Sequence, residues 1–203
     1  SNHFLYNEAI SAADASVDAE KGKWHWQAGL RYEFTHYKAH QLGNAVVKDA
    51  AFKRNYGSIF PTAFVSYQLD SNNSITLRTG KRIDRPQFQH LNPFQTILNK
   101  YTYEAGNPFI KPQYTWNFSV AHTYKQKLTT EVSYSYLNDY FSQIFIIDSS
   151  SSNVNNNIII YTRGNVGSFT NFAITETFQT AVTKWWNLTA VAVYNHKVIK
   201  GIV

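Results

Sequence analysis

The sequence predicts an all-β fold, an antiparallel up-and-down meander of about eight long strands of the kind that forms a segment of a transmembrane β-barrel. Three observations predict it. Large apolar and small polar side chains alternate over stretches far longer than the roughly 5–6 residues of an ordinary strand. Short and long connections alternate along the chain. Tyr and Trp gather on the apolar parity, with Trp beside the short turns. No run of 18 apolar residues offers a membrane helix, and helical periodicity is nearly absent.

The elements follow in order. Residues 3–18 are rich in Ala, but Leu5, Ile10 and Val17 make no helical stripe, so they are assigned to a strand. Residues 24–38 set Trp24, Trp26, Ala28, Leu30, Tyr32 and Phe34 against Gln27, Gly29, Arg31, Glu33 and Thr35. Residues 57–69 and 74–85 form the next pair, joined by Asp70-Ser71-Asn72-Asn73. In "GNPFIKP", Pro108 and Pro112 lack N–H donors, so the following strand begins no earlier than Gln113. Residues 113–125 then carry Tyr114, Trp116, Phe118, Val120, His122 and Tyr124 on one parity. Residues 127–147, 157–180 and 187–199 complete the set, with a bulge expected at "RGNVGS" (163–168), where Gly permits φ > 0.

The connections are 19–22, 39–56, 70–73, 86–112, 125–127, 148–156 and 181–186. Antiparallel strands send successive connections to opposite ends, so tight turns gather at one end and longer loops at the other. Membrane barrels sort their loops this way. Parity alone fits two arrangements: an apolar face turned to lipid, or an apolar face turned to a soluble core. Strand length, sorted loops and the aromatic parity favour lipid. Trp24, Trp26, Trp116, Trp185 and Trp186 are then membrane-interface aromatics.

Composition narrows the function classes. The net charge is +6 with a pI of about 9.4, but the basic residues are scattered, so no nucleic-acid partner is expected. The absence of Cys removes disulfides and thiolate chemistry. His36 and His40 are spaced for a metal only on a helix, and they fall at a strand end. No metal site, cofactor or catalytic residue is expected, and no nucleotide-binding or hydrolase motif occurs. A 203-residue chain without Met reads as a piece of a longer one.

"RTGKRIDRPQFQHLNPF" (78–94) and "YTYEAGNPFIKPQYTWNFSVAHTYK" (101–125) resemble the barrel of TonB-dependent outer-membrane receptors. "WHWQAGLRYEFTHYKAHQ" (24–41) and "FPTAFVSYQLDSNNSITLRTGKRIDRP" (60–86) add to the likeness, which covers most of residues 4–147. The resemblance is to the outer membrane protein β-barrel family of Bacteroidetes-type bacteria. Where many relatives carry Glu, this chain has Gln113. The resemblance implies a receptor in the bacterial outer membrane, bounded by its lipid, that binds a scarce nutrient outside and imports it with energy from the TonB complex. It implies that residues 1–203 are a partial barrel domain, without the N-terminal plug domain, the region that meets TonB and the remaining strands. An isolated segment would then expose two unpaired edges and pair through them.

Candidate ligand-binding residues on the long-loop side are Arg82, Asp84, Arg85, Asn92, Tyr101 and Tyr103. Arg82 and Asp84 share a parity and are placed to pair. Arg31, Glu33, Arg78 and Glu131 lie on the polar parity and would face the lumen. Two other readings stand beside this one: a soluble extracellular β-sandwich that binds carbohydrate, and a small closed barrel that anchors in a membrane.

Overall fold

The computed structural model describes residues 3–43, 49–148 and 158–201. Eight long strands form the meander: β1 (His3–Lys21), β2 (Trp24–Leu42), β3 (Ala50–Gln68), β4 (Asn73–Asp84), then β7 (Gln113–Tyr124), β8 (Leu128–Asp148), β9 (Ile158–Ala181) and β10 (Asn187–Gly201). Each long strand pairs antiparallel with its sequence neighbour, β4 pairing β7 directly. Between β4 and β7 the chain makes one helical turn, α1 (Phe88–Leu91), and a short hairpin, β5 (Thr96–Asn99) and β6 (Thr102–Glu104). β6 runs parallel to the upper end of β9, on the same edge that β10 occupies lower down. Among the described residues β1 pairs only with β2 and β10 only with β9, so the sheet is open.

Two expectations need correction. The connection expected at 39–56 is mostly strand: β2 continues to Leu42 and β3 begins at Ala50, with pairs such as His40↔Ala51. The apolar pattern stops near Phe34, but backbone pairing needs no apolar side chain. The segment 86–112, expected as a plain loop, contains α1 and the β5–β6 hairpin. The connection expected at 148–156 lies, from residue 149 on, outside the described residues.

Register identifies the faces. Trp24, Trp26, Ala28, Leu30, Tyr32 and Phe34 stand opposite Tyr67, Val65, Ala63, Pro61, Ile59 and Gly57. From Trp24 to Phe34 the strand rises about 33 Å, or roughly 25 Å of height at a tilt near 40°, the height of the apolar band of an outer-membrane barrel. This face stays open: Trp24 is 51% exposed and Leu30 54%. The opposite, polar parity is the one that becomes covered. Thr35 is 0% exposed, and Tyr37, Ala39, Gln41, Ser58 and Phe60 are buried with it. A soluble sandwich would bury the aromatic face, and this sheet does the reverse.

The cover is the 86–112 segment. Phe88 packs on Phe4 and Tyr6 of β1. Asn107 Nδ2 donates to Arg163 O of β9 (3.1 Å). The segment therefore crosses the sheet from β1 to β9, roughly 29 Å at about 4.8 Å per strand. Leu91 (4% exposed) and Ile110 (2%) anchor it. β3 leaves β4 above Thr62↔Gly80, beside Pro61, which has no N–H to donate. Above that point the segment packs on β3 through side chains: Arg54 donates to Ile110 O (2.9 Å), and Phe109 meets Phe52 edge-on.

The tight turns are made locally. Asp70 Oδ1 accepts from the backbone N–H of Asn72 (2.8 Å) and Asn73 (3.0 Å), and the Asn73 amide donates to both carboxylate oxygens. These bonds, the Asn72 N–H first and the Asn73 side chain second, hold the Asp70 carboxyl below its usual range. A depressed folded pKa contributes stability that is present above the unfolded value near 3.9 and is lost as pH falls through the folded value. The urea midpoint of Asp70→Asn should therefore lie below that of the parent at pH 5, with the gap closing towards pH 2.5. A pH-independent gap would contradict this account.

The bulge falls at Asn138–Asp139 of β8 and Val166–Gly167 of β9. Leu137 pairs Phe169, Tyr140 pairs Gly167, and Phe141 pairs Asn165. Gly167 has φ +142°, and a Cβ there would sit 2.1 Å from Lys200 O. The two irregularities compensate, so odd-numbered residues of β8 pair with odd-numbered residues of β9 both below and above them.

Candidate functional site on the loop-bearing face

Arg85 is the first residue after β4 and turns back across the covered face. Its guanidinium donates to Glu33 Oε2 (2.6 Å) and to Thr35 Oγ1 (3.2 Å), both on β2. Its Nε is buried without a hydrogen-bond partner, 4.0 Å from Glu8 Oε1 on β1. Glu33 also accepts from Arg31 Nε (2.7 Å), and Arg31 Nη1 lies 3.4 Å from Asp14 Oδ1. Charges from β1, β2 and the end of β4 thus alternate in sign: Asp14, Arg31, Glu33, Arg85, Glu8. Further along the same face Arg78 stands 3.6 Å from Glu131.

Arg82 and Asp84 do not pair. Asp84 accepts from Gln113 Nε2 (2.9 Å), while Gln113 Oε1 accepts from Phe141 N (3.2 Å). The amide uses both ends, which explains Gln at this position. A carboxylate would face Asp84 with no proton to donate. Arg82 instead lines a cavity of about 480 Å³ with Arg31, Glu33 and Asp14.

The two Asn-Pro-Phe tripeptides, 92–94 and 107–109, form matching turns. Asn92 Oδ1 accepts from Phe94 N (3.2 Å), and Asn107 Oδ1 from Phe109 N (2.9 Å). The turns are tied together by Gly106 N to Asn92 O (2.8 Å) and Asn107 N to His90 O (2.7 Å). Asn165 then clasps Lys111 on both sides: its Oδ1 accepts from Lys111 N and its Nδ2 donates to Lys111 O.

Between these turns and β9 lies a polar cavity of about 320 Å³, lined by His90, Asn92, Glu104, Tyr161 and Arg163 among others. His90 Nδ1 is buried without a hydrogen-bond partner. Burial first, and the nearby Arg163 second, push the imidazole below its ordinary range. Of the sequence candidates, only Asn92 lines this cavity. Tyr101 is exposed at the tip of the β5–β6 hairpin, and Tyr103 pairs with Ile160 of β9. Sequence pattern alone does not point to His90, Glu104 or Arg163. His90 sits inside the quoted 78–94 motif, but nothing local marks Arg163. Among the described residues no group of three or more metal-ligating side chains comes together.

Trp24 and Trp26 stand on the open face beside the 22–23 turn, and Trp185 and Trp186 lie in the 182–186 turn at the same end. Trp116 pairs Lys81 and Tyr136 nearer the other end.

An open wall of long antiparallel strands, aromatic on its exposed face and polar on its covered face, is the wall of an outer-membrane β-barrel. The chain belongs to the outer membrane protein beta-barrel family, whose model matches residues 1–202. Its fold is similar to that of the siderophore receptor PirA from Pseudomonas aeruginosa (TM-score 0.61, 8% identity, 96% of this chain and 43% of that one). It is likewise similar to the copper transporter OprC (TM-score 0.66, 13% identity, 93% and 29%). The siderophore receptor PiuA from Acinetobacter baumannii is a third (TM-score 0.58, 14% identity, 95% and 26%). At these identities the likeness is one of fold. The chain spans less than half the length of each. No curated protein sequence matches it. The family is one of outer-membrane β-barrels, and these neighbours are two siderophore receptors and a copper transporter, none of them an enzyme.

Proposed function

We propose that residues 1–203 are part of the barrel domain of a TonB-dependent receptor that imports a scarce nutrient. The observation that carries this reading is the 86–112 segment. It folds across the polar face, where it walls the 320 Å³ cavity beside His90 and Arg163. On this reading the polar face is the lumen, and Arg31, Glu33, Arg78 and Glu131 line it. The long-loop end is outside the cell, and the aromatic face meets lipid. Arg82, Asp84, Arg85, Asn92, Tyr101 and Tyr103 belong to the mouth through which the nutrient enters. The TonB complex is met by a part of the protein beyond these residues, and the open β1 and β10 edges pair with neighbouring barrel strands.

Residues 1–203 hold no Cys, so once any cysteine elsewhere in the full-length protein is replaced by Ser, a single cysteine placed here reports cleanly. Intact cells making the full-length protein are treated with a membrane-impermeant maleimide. Tyr101→Cys should label in intact cells, and Asp70→Cys only after the outer membrane is opened. Equal labelling at both positions, or recovery of the protein in the soluble fraction, would sink the receptor reading.

A further inference from the structure

The open face changes character just above the apolar band. Up to Phe34, β2 presents Trp, Leu, Tyr and Phe. Beyond it the same parity presents His36, Lys38 and His40, against Asn55, Lys53 and Ala51 of β3. Lys38 and Lys53 are directly opposed on one face, and both are exposed. Opposed Cβ atoms lie about 4.5–5.5 Å apart, and like charges in that position destabilise a sheet. Asn7 of β1 continues the row beside Lys38.

Nothing in the described chain compensates this pair. Among the described residues neither ammonium has a carboxylate partner. The nearest acid at this end, Asp49, is taken by His40 Nε2 (2.7 Å) and Gly43 N (3.5 Å). Glu8 and Glu33 point to the covered face, where they meet Arg85.

Height then selects the occupant. Lys38 is four residues past Phe34, about 10 Å higher at the tilt of a barrel strand. Headgroups occupy roughly 5–8 Å beyond the hydrocarbon, and a lysine stem reaches back that far along apolar surface. Below the pair come His36 and Asn55, hydrogen-bonded to each other, and then the rings of Phe34 and Tyr32, both exposed. Two ammonium groups sit over an apolar wall, at the depth where lipid headgroups lie.

We infer that Lys38 and Lys53 form a site for a phosphate-bearing lipid of the outer leaflet, the phosphate bridging the two ammonium groups and the acyl chains lying on Tyr32 and Phe34. A phosphomonoester carries up to two negative charges and several acceptor oxygens, which match the opposed pair. This inference rests on the orientation proposed above, with the aromatic face towards lipid.

The test uses the full chain in a zwitterionic detergent, with native mass spectrometry as the readout. The probes are dioctanoyl phosphatidic acid, dioctanoyl phosphatidylcholine and inorganic phosphate. Phosphatidic acid should be retained at least 10-fold more tightly than phosphatidylcholine. Lys38→Gln with Lys53→Gln should abolish that preference, while Lys21→Gln with Lys184→Gln, an equal loss of charge at the other end, should keep it. Equal retention of the two lipids, or a preference unchanged by the Lys38/Lys53 variant, overturns the site. Displacement by inorganic phosphate at equal concentration reduces it to a phosphate site and overturns the lipid assignment. If the cysteine labelling holds while these results fail, the lipid site alone is lost. If the labelling fails, the orientation itself is lost.

Discussion

Replacing Gly106 with alanine should release the 86–112 segment from the polar face while leaving the meander paired. A Cβ at Gly106 would lie 2.5 Å from Asn92 O, 2.7 Å from His90 O and 2.8 Å from Asn92 N. All three are backbone atoms, so no side chain can swing aside. The same backbone carries the bonds that join the twin Asn-Pro-Phe turns, from Gly106 N to Asn92 O and Asn107 N to His90 O. The substitution must therefore break the tie or move the whole turn, at a cost of about 3 kcal/mol or more. Hydrogen exchange at Ala105, Gly106 and Asn107 should accelerate at least 100-fold, while strand amides of β2 and β7 keep their protection. Gly22→Ala is the control. It meets a left-handed φ (+61°), which Gly106 does not, but nothing lies within 4 Å, so it should cost about 1 kcal/mol and leave the segment untouched. Unchanged exchange at 105–107 in Gly106→Ala would show that the twin turns do not hold the segment.

The meander was legible in the sequence because its signal is local. Each strand states its own parity, and Pro108 and Pro112 stop β7 from starting before Gln113. What was not legible depends on partners distant in sequence. β2 and β3 run on past Phe34 because their backbones stay in register, although His36, Lys38 and His40 end the apolar pattern. Arg82 and Asp84 looked like a pair from spacing. Asp84 is instead bonded to Gln113, 29 residues away, and the arginine that pairs is Arg85, with Glu33, 52 residues away. The 86–112 segment reads as loop because its order comes from Leu91 and Ile110 settling on β-strand side chains, and from two short turns braced by one glycine. A sequence window sees the Asn-Pro-Phe repeats but not that Gly106 holds them side by side.

Arg85→Met should be the most damaging single change on the polar face that leaves the backbone intact. Arg85 is less than a third exposed (24%), and its main partner Glu33 is nearly covered (12%). Removing the guanidinium takes one donor from Glu33, the bond from the fully buried Thr35 hydroxyl, and the positive charge beside Glu8. Breaking a buried pair from one side costs roughly 3–5 kcal/mol. Glu33 keeps Arg31 at 2.7 Å, so the expected loss here is smaller, about 2–3 kcal/mol. Arg82→Met, one turn of pleat away and exposed, should cost less than about 0.5 kcal/mol. Adding Glu33→Gln to Arg85→Met should recover part of the loss, because the stranded carboxylate is then neutral. That recovery is a coupling of about 1 kcal/mol or more in a double-mutant cycle. Denaturant midpoints of Arg85→Met, Glu33→Gln, the two combined, and Arg82→Met, measured in one detergent, decide the matter. If Arg85→Met and Arg82→Met fall together, the alternating charges from Asp14 to Glu8 are solvated neighbours rather than a joint. If only Arg85→Met falls, and Glu33→Gln restores part of it, then Arg85 is the joint. It fixes the start of the 86–112 segment to β1 and β2, and so sets where that segment enters the polar face.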